Sequence, residues 1–516
     1  MNQAGALAPP AFKGIWNVTL ALTALWALFV AVRLTAPSDF LDHDQERPSL
    51  YMVDAYVNGH WLVQRDDNPD PVLAITSKPP LLTWCGAGLM RLSGGVSEWA
   101  VFLPGALAVL AIMLLLRQTG DRWFGTGAGT WAAAAFLLSV AGTKMLHLAR
   151  TDGVFTFFVF LTGVLGLRAW ERGRGWNWFW LAAAAATLTK GPFGLMFAAA
   201  GFLAALGAGR GGEAEAGDRP GFRLASQWPG ILIFLILSGG WFLLACSEAG
   251  RPLVEKMLGR ELFGHFTGQA EAKREFFFPG LYFYKPAGYV LVRFAPWSLA
   301  TVLAVWTLWR RPAPAAAERR AERFWFWTLA AGVLVLGLPR HQRADLVFPL
   351  LPAAALLAGR ELNRLRWPLH VSHTVILTGF SLLALTVMWL MDDVINPRKE
   401  NAIRQTAAVR RFVMETDRLT GRRAAWIFVD VKAGVQFYLG LNQTRVTPEA
   451  AAQRLAGTEP VLVAVRDPQA VIAKLPPGAV WYEVAQLPDQ GAASAFVLSN
   501  RSRDWFTIWA GVGKPH

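Results

Sequence analysis

Cysteine is scarce in this sequence: only Cys85 and Cys246 occur among 516 residues. They do not form the paired spacing of a structural metal site, and the sequence leaves open whether they form a disulfide. A cleavable signal peptide is also missing, because the first apolar run is long and is followed by charged residues rather than by a small-residue cleavage site. We therefore expect no cysteine-based metal site and an uncleaved first apolar run.

Charged residues are also few, at 17% of the chain, whereas soluble domains carry roughly a quarter. Apolar residues make up 54%, and they gather in runs of about 17–25 residues, the length that crosses a bilayer as a helix. This run length excludes a large soluble core. The 24 tryptophans agree with a membrane protein, because tryptophan collects at membrane interfaces.

The net charge of +14 would suggest a nucleic-acid partner in a soluble protein. Here many arginines lie in short connections between apolar runs, where they set membrane topology instead. We expect no nucleic-acid partner.

The fold class predicted is an all-α multi-pass membrane bundle of about 11–13 spans with a C-terminal soluble α/β domain. The apolar segments lie at residues 14–34, 99–116, 125–145, 153–167, 176–188, 192–206, 229–246, 287–309, 324–338, 346–357 and 371–391. Residues 1–391 form the predicted membrane module and residues 392–516 the predicted soluble domain.

Arginine in the short loops predicts the orientation, since cytoplasmic loops carry an excess of Lys and Arg. With the N-terminus inside, nearly every short loop assigned to the cytoplasm is rich in arginine, as in Arg168, Arg172 and Arg174. Two long polar loops, 37–98 and 247–286, then face the periplasm, together with the tail. The predicted location is the bacterial inner membrane.

The tail is predicted to be a small α/β domain, with strands and one helix between them. Strands are predicted at 425–430, 460–467, 479–484 and 494–500, and a helix at 448–457. The tail shows neither a glycine-rich phosphate loop nor a catalytic constellation.

Four charged clusters lie on the predicted outer side, and each has a structural alternative. The cluster Asp42–Arg47 would otherwise be a solvated loop. Lys78, before two prolines, would be a lysine reaching to the interface, and Asp152, beside Arg150, would be a helix N-cap. Lys190 would lie in a turn between two apolar segments.

Together the clusters place carboxylates and cations on one face of a membrane bundle. This combination suits a substrate with a phosphate head and a lipid tail. A channel would need rings of polar residues through the bilayer, which the sequence lacks. A transporter would need charges near mid-membrane or paired broken helices, and only the short segments around Lys190 suggest that.

The order of five short stretches resembles that of a known family. These stretches are "DQER" at Asp44, Gly59-x-Trp61, "KPPLLTW" at Lys78, "RTDGVFTFF" at Arg150 and "LTKGPFGL" at Leu188. They resemble the GT-C superfamily of membrane glycosyltransferases, in the branch of the aminoarabinose–lipid A transferase and the protein O-mannosyltransferases. The resemblance covers about residues 14–355 and includes "LPRHQRADLVFPLLP" from Leu338.

The sequence departs from the family pattern twice. The family's Asp-Glu is Asp44-Gln45 here, and the Glu before Lys-Pro-Pro is Ser77. That second Glu can contribute to metal binding in relatives, so its replacement lowers the expectation of a bound metal. No cofactor and no metal ligand are assigned.

The resemblance implies sugar transfer, with inversion at the anomeric carbon, from a polyprenyl-phosphate-linked donor to a lipid or protein acceptor on the periplasmic side. Asp44 is the expected base and Asp152 its support, both assigned as catalytic. The expected substrate-binding residues are Glu46, Arg47, Lys78, Arg150, Lys190, Arg260, Arg274 and Lys285. The last three belong to the second loop, which would otherwise rest on lipid headgroups.

Three other functions stay open at this point. The chain could bind or flip a lipid-linked sugar without catalysis, transport a small anion, or act as an envelope scaffold through its tail.

Overall fold

The computed structural model describes residues 13–35, 38–41, 43–192, 195–196, 224–257, 259, 283–339, 342–365, 379, 382–383, 397–487 and 494–512. Most of the predicted segments 192–206 and 371–391 therefore lies outside the described residues. The same holds for most of the second polar loop.

The first part of the chain is a series of long and short helices. They are α1 (Lys13–Thr35), α2 (His43–Val53, continued by a π-helical turn Asp54–Asn58), α3 (Pro71–Ala74), α4 (Leu81–Ser93), α5 (Glu98–Phe124), α6 (Ala128–Leu137), α7 (Val140–His147), α8 (Thr151–Arg172) and α9 (Trp176–Lys190). The first polar loop is thus largely helical.

The remaining helices of the bundle follow the same pattern. They are α10 (Trp228–Phe234), a π-helical turn (Leu235–Gly239), α11 (Gly240–Ala249), α12 (Arg251–Val254), α13 (Lys285–Arg293), α14 (Ser298–Arg310), α15 (Ala316–Gly337), a 3₁₀ helix (Ala344–Leu350) and α16 (Leu351–Arg364).

Within the described residues, four helical stretches are long and apolar enough to cross a membrane. They are Val18–Thr35, Glu98–Phe124, Thr151–Arg172 and Trp228–Ala249. The helical membrane class is confirmed, and the number of about 11–13 spans stays a prediction.

Two predicted spans are not continuous helices but are each divided in two. Segment 125–145 divides into α6 and α7, because the Ser139 hydroxyl accepts from Gly142 N at 3.0 Å and caps a new helix. Segment 287–309 divides into α13 and α14, which meet at 119°. Pro296 lies between these two helices and has no N–H with which to continue the first one.

The centre of the bundle is built on close helix contacts through small residues. A Cβ added to Gly359 of α16 would lie 2.5 Å from Ala128 O of α6. Only glycine permits this approach, which is typical of helix packing in membranes. Small residues thus bring α6 and α16 into close contact.

The tail forms a four-stranded sheet of order β1-β2-β4-β3. Its elements are α17 (Pro397–Thr420), β1 (Ala425–Phe428), α18 (Ala433–Leu439), α19 (Pro448–Leu455), β2 (Val461–Val465), α20 (Pro468–Ile472), β3 (Tyr482–Leu487), β4 (Ala495–Ser499) and α21 (Arg503–Val512). Strands β1 and β2 are parallel, and the other two pairs are antiparallel. The α/β character is confirmed, with β3 beginning three residues later than predicted.

The tail and the first loop share one apolar core. Phe40 lies 4.4 Å from Phe437 between ring centroids, and a Cβ on Gly434 would collide with Leu41. Leu41 N donates to Thr406 Oγ1 at 3.2 Å. The domain boundary near residue 391 stays a prediction, but the tail is packed onto the first loop rather than tethered to it.

Candidate functional site

Six charged side chains meet where several helix ends converge, and we call them the cation cluster. Its members are Lys144, Arg150, Lys190 and Arg293 with the carboxylates Asp152 and Asp345.

Asp345 is the anionic centre of the cation cluster. Its carboxylate accepts from Lys144 Nζ at 3.1 Å, from an Arg150 guanidinium nitrogen at 2.7 Å and from an Arg293 guanidinium nitrogen at 3.0 Å. These three donors are 201, 195 and 52 residues away in sequence, respectively. Only the folded bundle brings them together.

Asp152 is the second carboxylate. Lys190 Nζ donates to its Oδ1 at 2.5 Å, and Arg150 Nε lies 3.2 Å from its Oδ2. Arg150 therefore bridges the two carboxylates. This confines its guanidinium more strongly than a single ion pair would.

Local sequence explains why these groups lie at helix ends. Arg150 is the N-cap of α8, and Asp152 lies in its first turn, where a carboxylate is favoured by the helix dipole. Lys190 is the last residue of α9, and Gly191 follows with φ of 91°, which ends the helix. Arg293 is the last residue of α13.

The cation cluster carries more positive than negative charge. Among the described residues, its four cations outnumber its two carboxylates by two. Burial by itself would raise the pKa of Asp345, but the charges of Lys144, Arg150 and Arg293 outweigh it and lower the pKa to about 2. The Asp345 carboxylate is thus ionised at neutral pH, and the surplus of cations suits an anion such as a phosphate group.

Helix α2 connects the first loop to this cluster. Gln45 is fully buried, and its side-chain oxygen accepts from Ala149 N at 3.3 Å, one residue before Arg150. Asp44 precedes Gln45 in the first turn of α2. The Asp44 side chain lies outside the described residues, so its distance to the cluster stays a prediction.

Lys78 lies partly buried in the turn before α4. Leu81, three residues later, and Leu188, two residues before Lys190, belong to one apolar cluster with Val63 and Trp241. The chain segments of Lys78 and Lys190 are therefore neighbours on the bundle. Lys256 reinforces the first loop by donating to the carbonyls of Leu73 and Ile75.

Glu46 and Arg47 lie on another side of α2. They line a cavity of about 260 Å³ against the tail, and Arg47 Nε lies 3.4 Å from Asp66. Burial raises the pKa of the neighbouring Asp67 to about 6. The structure thus brings Arg150, Asp152 and Lys190 together, whereas Glu46 and Arg47 line a separate polar cavity.

The predicted residues of the second loop are only partly described. Lys285 begins α13, eight residues before Arg293, which is about 12 Å along the helix. Arg260 and Arg274 lie outside the described residues. Their assignments stay predictions.

Lys144, Arg293 and Asp345 were not predicted. Arg293 is a charge inside the apolar segment 287–309, and Asp345 lies within the quoted "LPRHQRADLVFPLLP". The position of each charge in or beside an apolar segment could have identified both residues, because a charge there is costly unless it pairs or has a function.

Cys85 and Cys246 are both free thiols, which answers the question of the disulfide. Among the residues that the structure describes, no group of three His, Cys, Asp or Glu side chains is arranged to hold a metal ion. The metal requirement of the reaction stays a prediction.

Comparisons with known proteins agree with the fold. Residues 77–212 match the family model described as dolichyl-phosphate-mannose-protein mannosyltransferase. A stretch of 106 residues is 30% identical to "Putative mannosyltransferase YycA" of Bacillus subtilis (strain 168), covering 20% of this chain and 15% of that protein. The chain thus matches about a seventh of the length of that curated relative.

Two solved structures cover nearly the whole chain. The crystal structure of ArnT from Cupriavidus metallidurans bound to undecaprenyl phosphate has a TM-score of 0.68 at 17% identity, over 98% of this chain and 100% of that chain. Its apo state has a TM-score of 0.65 at 16% identity, with the same coverage. The chain therefore shares its fold with ArnT, and residues 77–212 are similar to the mannosyltransferase family model.

Proposed function

We propose that the protein transfers a sugar from a polyprenyl-phosphate-linked donor to a lipid or protein acceptor. The observation that supports this proposal most directly is that, among the described residues, cations outnumber carboxylates in the cation cluster at the converging helix ends. Such a surplus beside hydrocarbon suits a lipid phosphate. The fold shared with a protein crystallised with undecaprenyl phosphate supports the same ligand class.

In the proposed reaction, an acceptor hydroxyl oxygen attacks the anomeric carbon of the donor sugar. The bond from that carbon to the phosphate oxygen breaks, and the phosphate keeps the electron pair. Asp44 takes the acceptor proton, and a single displacement inverts the anomeric centre. Arg150, Lys190 and Arg293 stabilise the charge on the departing phosphate, with Lys78 reaching it from the neighbouring turn.

Asp152 acts in this proposal through other residues. Its carboxylate is already neutralised by Lys190 at 2.5 Å and Arg150 at 3.2 Å, which makes it a poor proton acceptor. We assign it as a positioning residue that fixes these two cations around the phosphate.

We also propose that the cation cluster faces the periplasm. The opposite helix ends carry the arginines Arg168, Arg172, Arg310 and Arg311, as cytoplasmic ends do. The tail packs on the first loop and lies on the same side as the cluster.

The test is complementation of a bacterial strain that lacks this protein, followed by mass spectrometry of envelope lipids and proteins. The lost sugar identifies donor and acceptor together. Asp44→Asn should reduce transfer by about 10²–10⁴, the usual contribution of a general base. Asp70→Asn is the matched control, because Asp70 is exposed in the same loop and Asn also serves as an N-cap.

The purified variants separate binding from chemistry. Asp44→Asn should bind undecaprenyl phosphate as tightly as the wild type. Full transfer by Asp44→Asn would contradict its role as base. Undecaprenyl phosphate binding with no sugar lost from the envelope would indicate a binding or flipping protein, and anion uptake into sealed vesicles without lipid donor would indicate a transporter.

A further inference from the structure

A polar cavity of about 260 Å³ lies between the first loop and the tail, and we call it the junction cavity. One wall comes from α2 and the segment 66–68. The other wall comes from the tail, where residues 430–433, Arg445 and Arg466 line it.

The two walls are fixed to each other. Arg445 N donates to Asp67 O at 2.9 Å, and Arg445 Nε lies 3.3 Å from Asp67 Oδ2. Nearby, Asn442 Nδ2 donates to the buried Asp54 at 2.9 Å and to Arg65 O at 2.8 Å. The junction cavity is therefore formed before any ligand arrives, which reduces the entropic cost of binding.

The charges that line the junction cavity balance. Its carboxylates are Glu46, Asp66, Asp67 and Asp430, and its cations are Arg47, Lys432, Arg445 and Arg466. The cation cluster has a surplus of positive charge, but this cavity has none, so it does not favour a phosphate. It offers closely spaced donors and acceptors, which match hydroxyl groups that both donate and accept.

The junction cavity also lies beside the turn that carries Asp44. Glu46 and Arg47 follow Asp44 by two and three residues in α2, a rise of about 3 to 4.5 Å. A ligand in the cavity therefore lies against the same helical turn as the proposed base.

We propose that the junction cavity binds a neutral, hydroxyl-rich sugar group of the acceptor. This inference rests on the proposed glycosyl transfer and adds the chemical class of its acceptor. The volume lies just below the range of about 300–1,000 Å³ for drug-sized ligands. The cavity accommodates one sugar ring rather than a whole glycolipid. Because tail residues form one of its walls, the tail takes part in the choice of acceptor.

The test uses a cysteine reporter in the full-length protein. Ala433 lines the junction cavity, and Ala433→Cys is made with Cys85→Ser and Cys246→Ser, so that a maleimide labels only the reporter. The matched control is Ala450→Cys, another partly buried alanine near a helix start, in a separate tail cavity of about 580 Å³. The probes are methyl glycosides of glucose, galactose and mannose, with methyl phosphate and undecaprenyl phosphate for comparison.

At least one glycoside should slow labelling of the Ala433 reporter by about tenfold at ten times its Kd. Labelling of the Ala450 reporter should not change, and neither phosphate should protect the Ala433 reporter. Asp430→Asn should weaken the protection several-fold, because it replaces one acceptor of the lining.

Two results would overturn the inference. One is that no glycoside protects the Ala433 reporter at about 100 mM, which is a hundredfold above a millimolar Kd. The other is equal protection of both reporters. Binding of undecaprenyl phosphate is measured on the same protein, so that loss of glycoside protection with intact phosphate binding removes this inference and leaves the proposed function in place.

Discussion

Two buried clusters of arginine and carboxylate lie at opposite ends of the bundle, and they differ in charge and exposure. In the opposite-end cluster, Arg360 is fully buried and pairs with Glu322 at 2.5 Å and Glu361 at 3.0 Å, and Arg364 pairs with Glu318 at 2.7 Å. Its three carboxylates exceed its two cations. In the cation cluster, by contrast, the described lysines and arginines are in surplus, and each is 16–32% exposed, whereas Arg360 is fully buried and only the peripheral Arg364 reaches 33%.

The difference between the two clusters shows that arginine–carboxylate pairs can either fix helix positions or form a binding site. Helices α14, α15 and α16 enclose Arg360 and Glu322 of the opposite-end cluster, and Thr307 Oγ1 donates to Glu361 at 2.7 Å. Such a network fixes helix positions. The cations of the cation cluster are partly exposed and outnumber its carboxylates. An incoming anion can therefore reach them without breaking the existing ion pairs.

The largest effect should come from Arg360→Leu. Removing one partner of a buried ion pair leaves uncompensated charge and typically costs 3–5 kcal/mol, so we expect about that loss in the free energy of unfolding. Thermal unfolding in detergent measures it. A loss of phosphate affinity at unchanged stability would contradict the purely structural role of this cluster.

Arg293→Gln should have the next largest effect, on binding rather than on stability. A hydrogen bond to a charged group contributes roughly 1.5–3 kcal/mol, so affinity for undecaprenyl phosphate should fall about 10- to 100-fold. The check is a binding titration in detergent, repeated with undecaprenol. Equal weakening for phosphate and alcohol would show that Arg293 does not recognise the phosphate.

The pH dependence of Asp345 sharpens the contrast. Its pKa in the folded state, about 2, lies below its ordinary value of 3.8. The ionised carboxylate therefore stabilises the fold above pH about 4, by up to about 2 kcal/mol, and this contribution is lost as the pH falls toward 2. The difference in unfolding free energy between wild type and Asp345→Asn should be constant from pH 7 to 4 and shrink below. A difference that grows on acidification would contradict this assignment.

The smallest effect should come from Arg404→Gln, which removes an exposed pair with Glu400 one helical turn away. Exposed pairs at this spacing contribute about 0.3–0.5 kcal/mol. Stability and binding should both stay close to wild type, so the variant controls for loss of an arginine as such.

Much of the fold follows from local sequence patterns. Apolar run length predicts α1, α5 and α8, and short apolar runs between polar segments predict the tail strands. Helix α17 was not predicted because it is polar overall, and only the face with Val409, Phe412 and Val413 is buried. The bend between α13 and α14 was missed because hydropathy measures apolar length and not the direction of the chain.

The candidate site follows from sequence only in part. Arg150, Asp152 and Lys190 lie in stretches whose charges next to apolar runs are visible locally. Asp345 needs partners up to 201 residues away, and no local pattern specifies such a contact. The resemblance to a family supplied the order of the segments but not the pairing of their side chains.

The shared core of first loop and tail has a consequence for biosynthesis. Leu41 and its partner Thr406 are 365 residues apart, and a ribosome adding about 5–20 residues per second needs roughly 20–70 s to cover that distance. During this interval Phe40 and Leu41 lack the surface that covers them. The nascent loop would thus depend on the lipid interface or on a chaperone until the tail arrives.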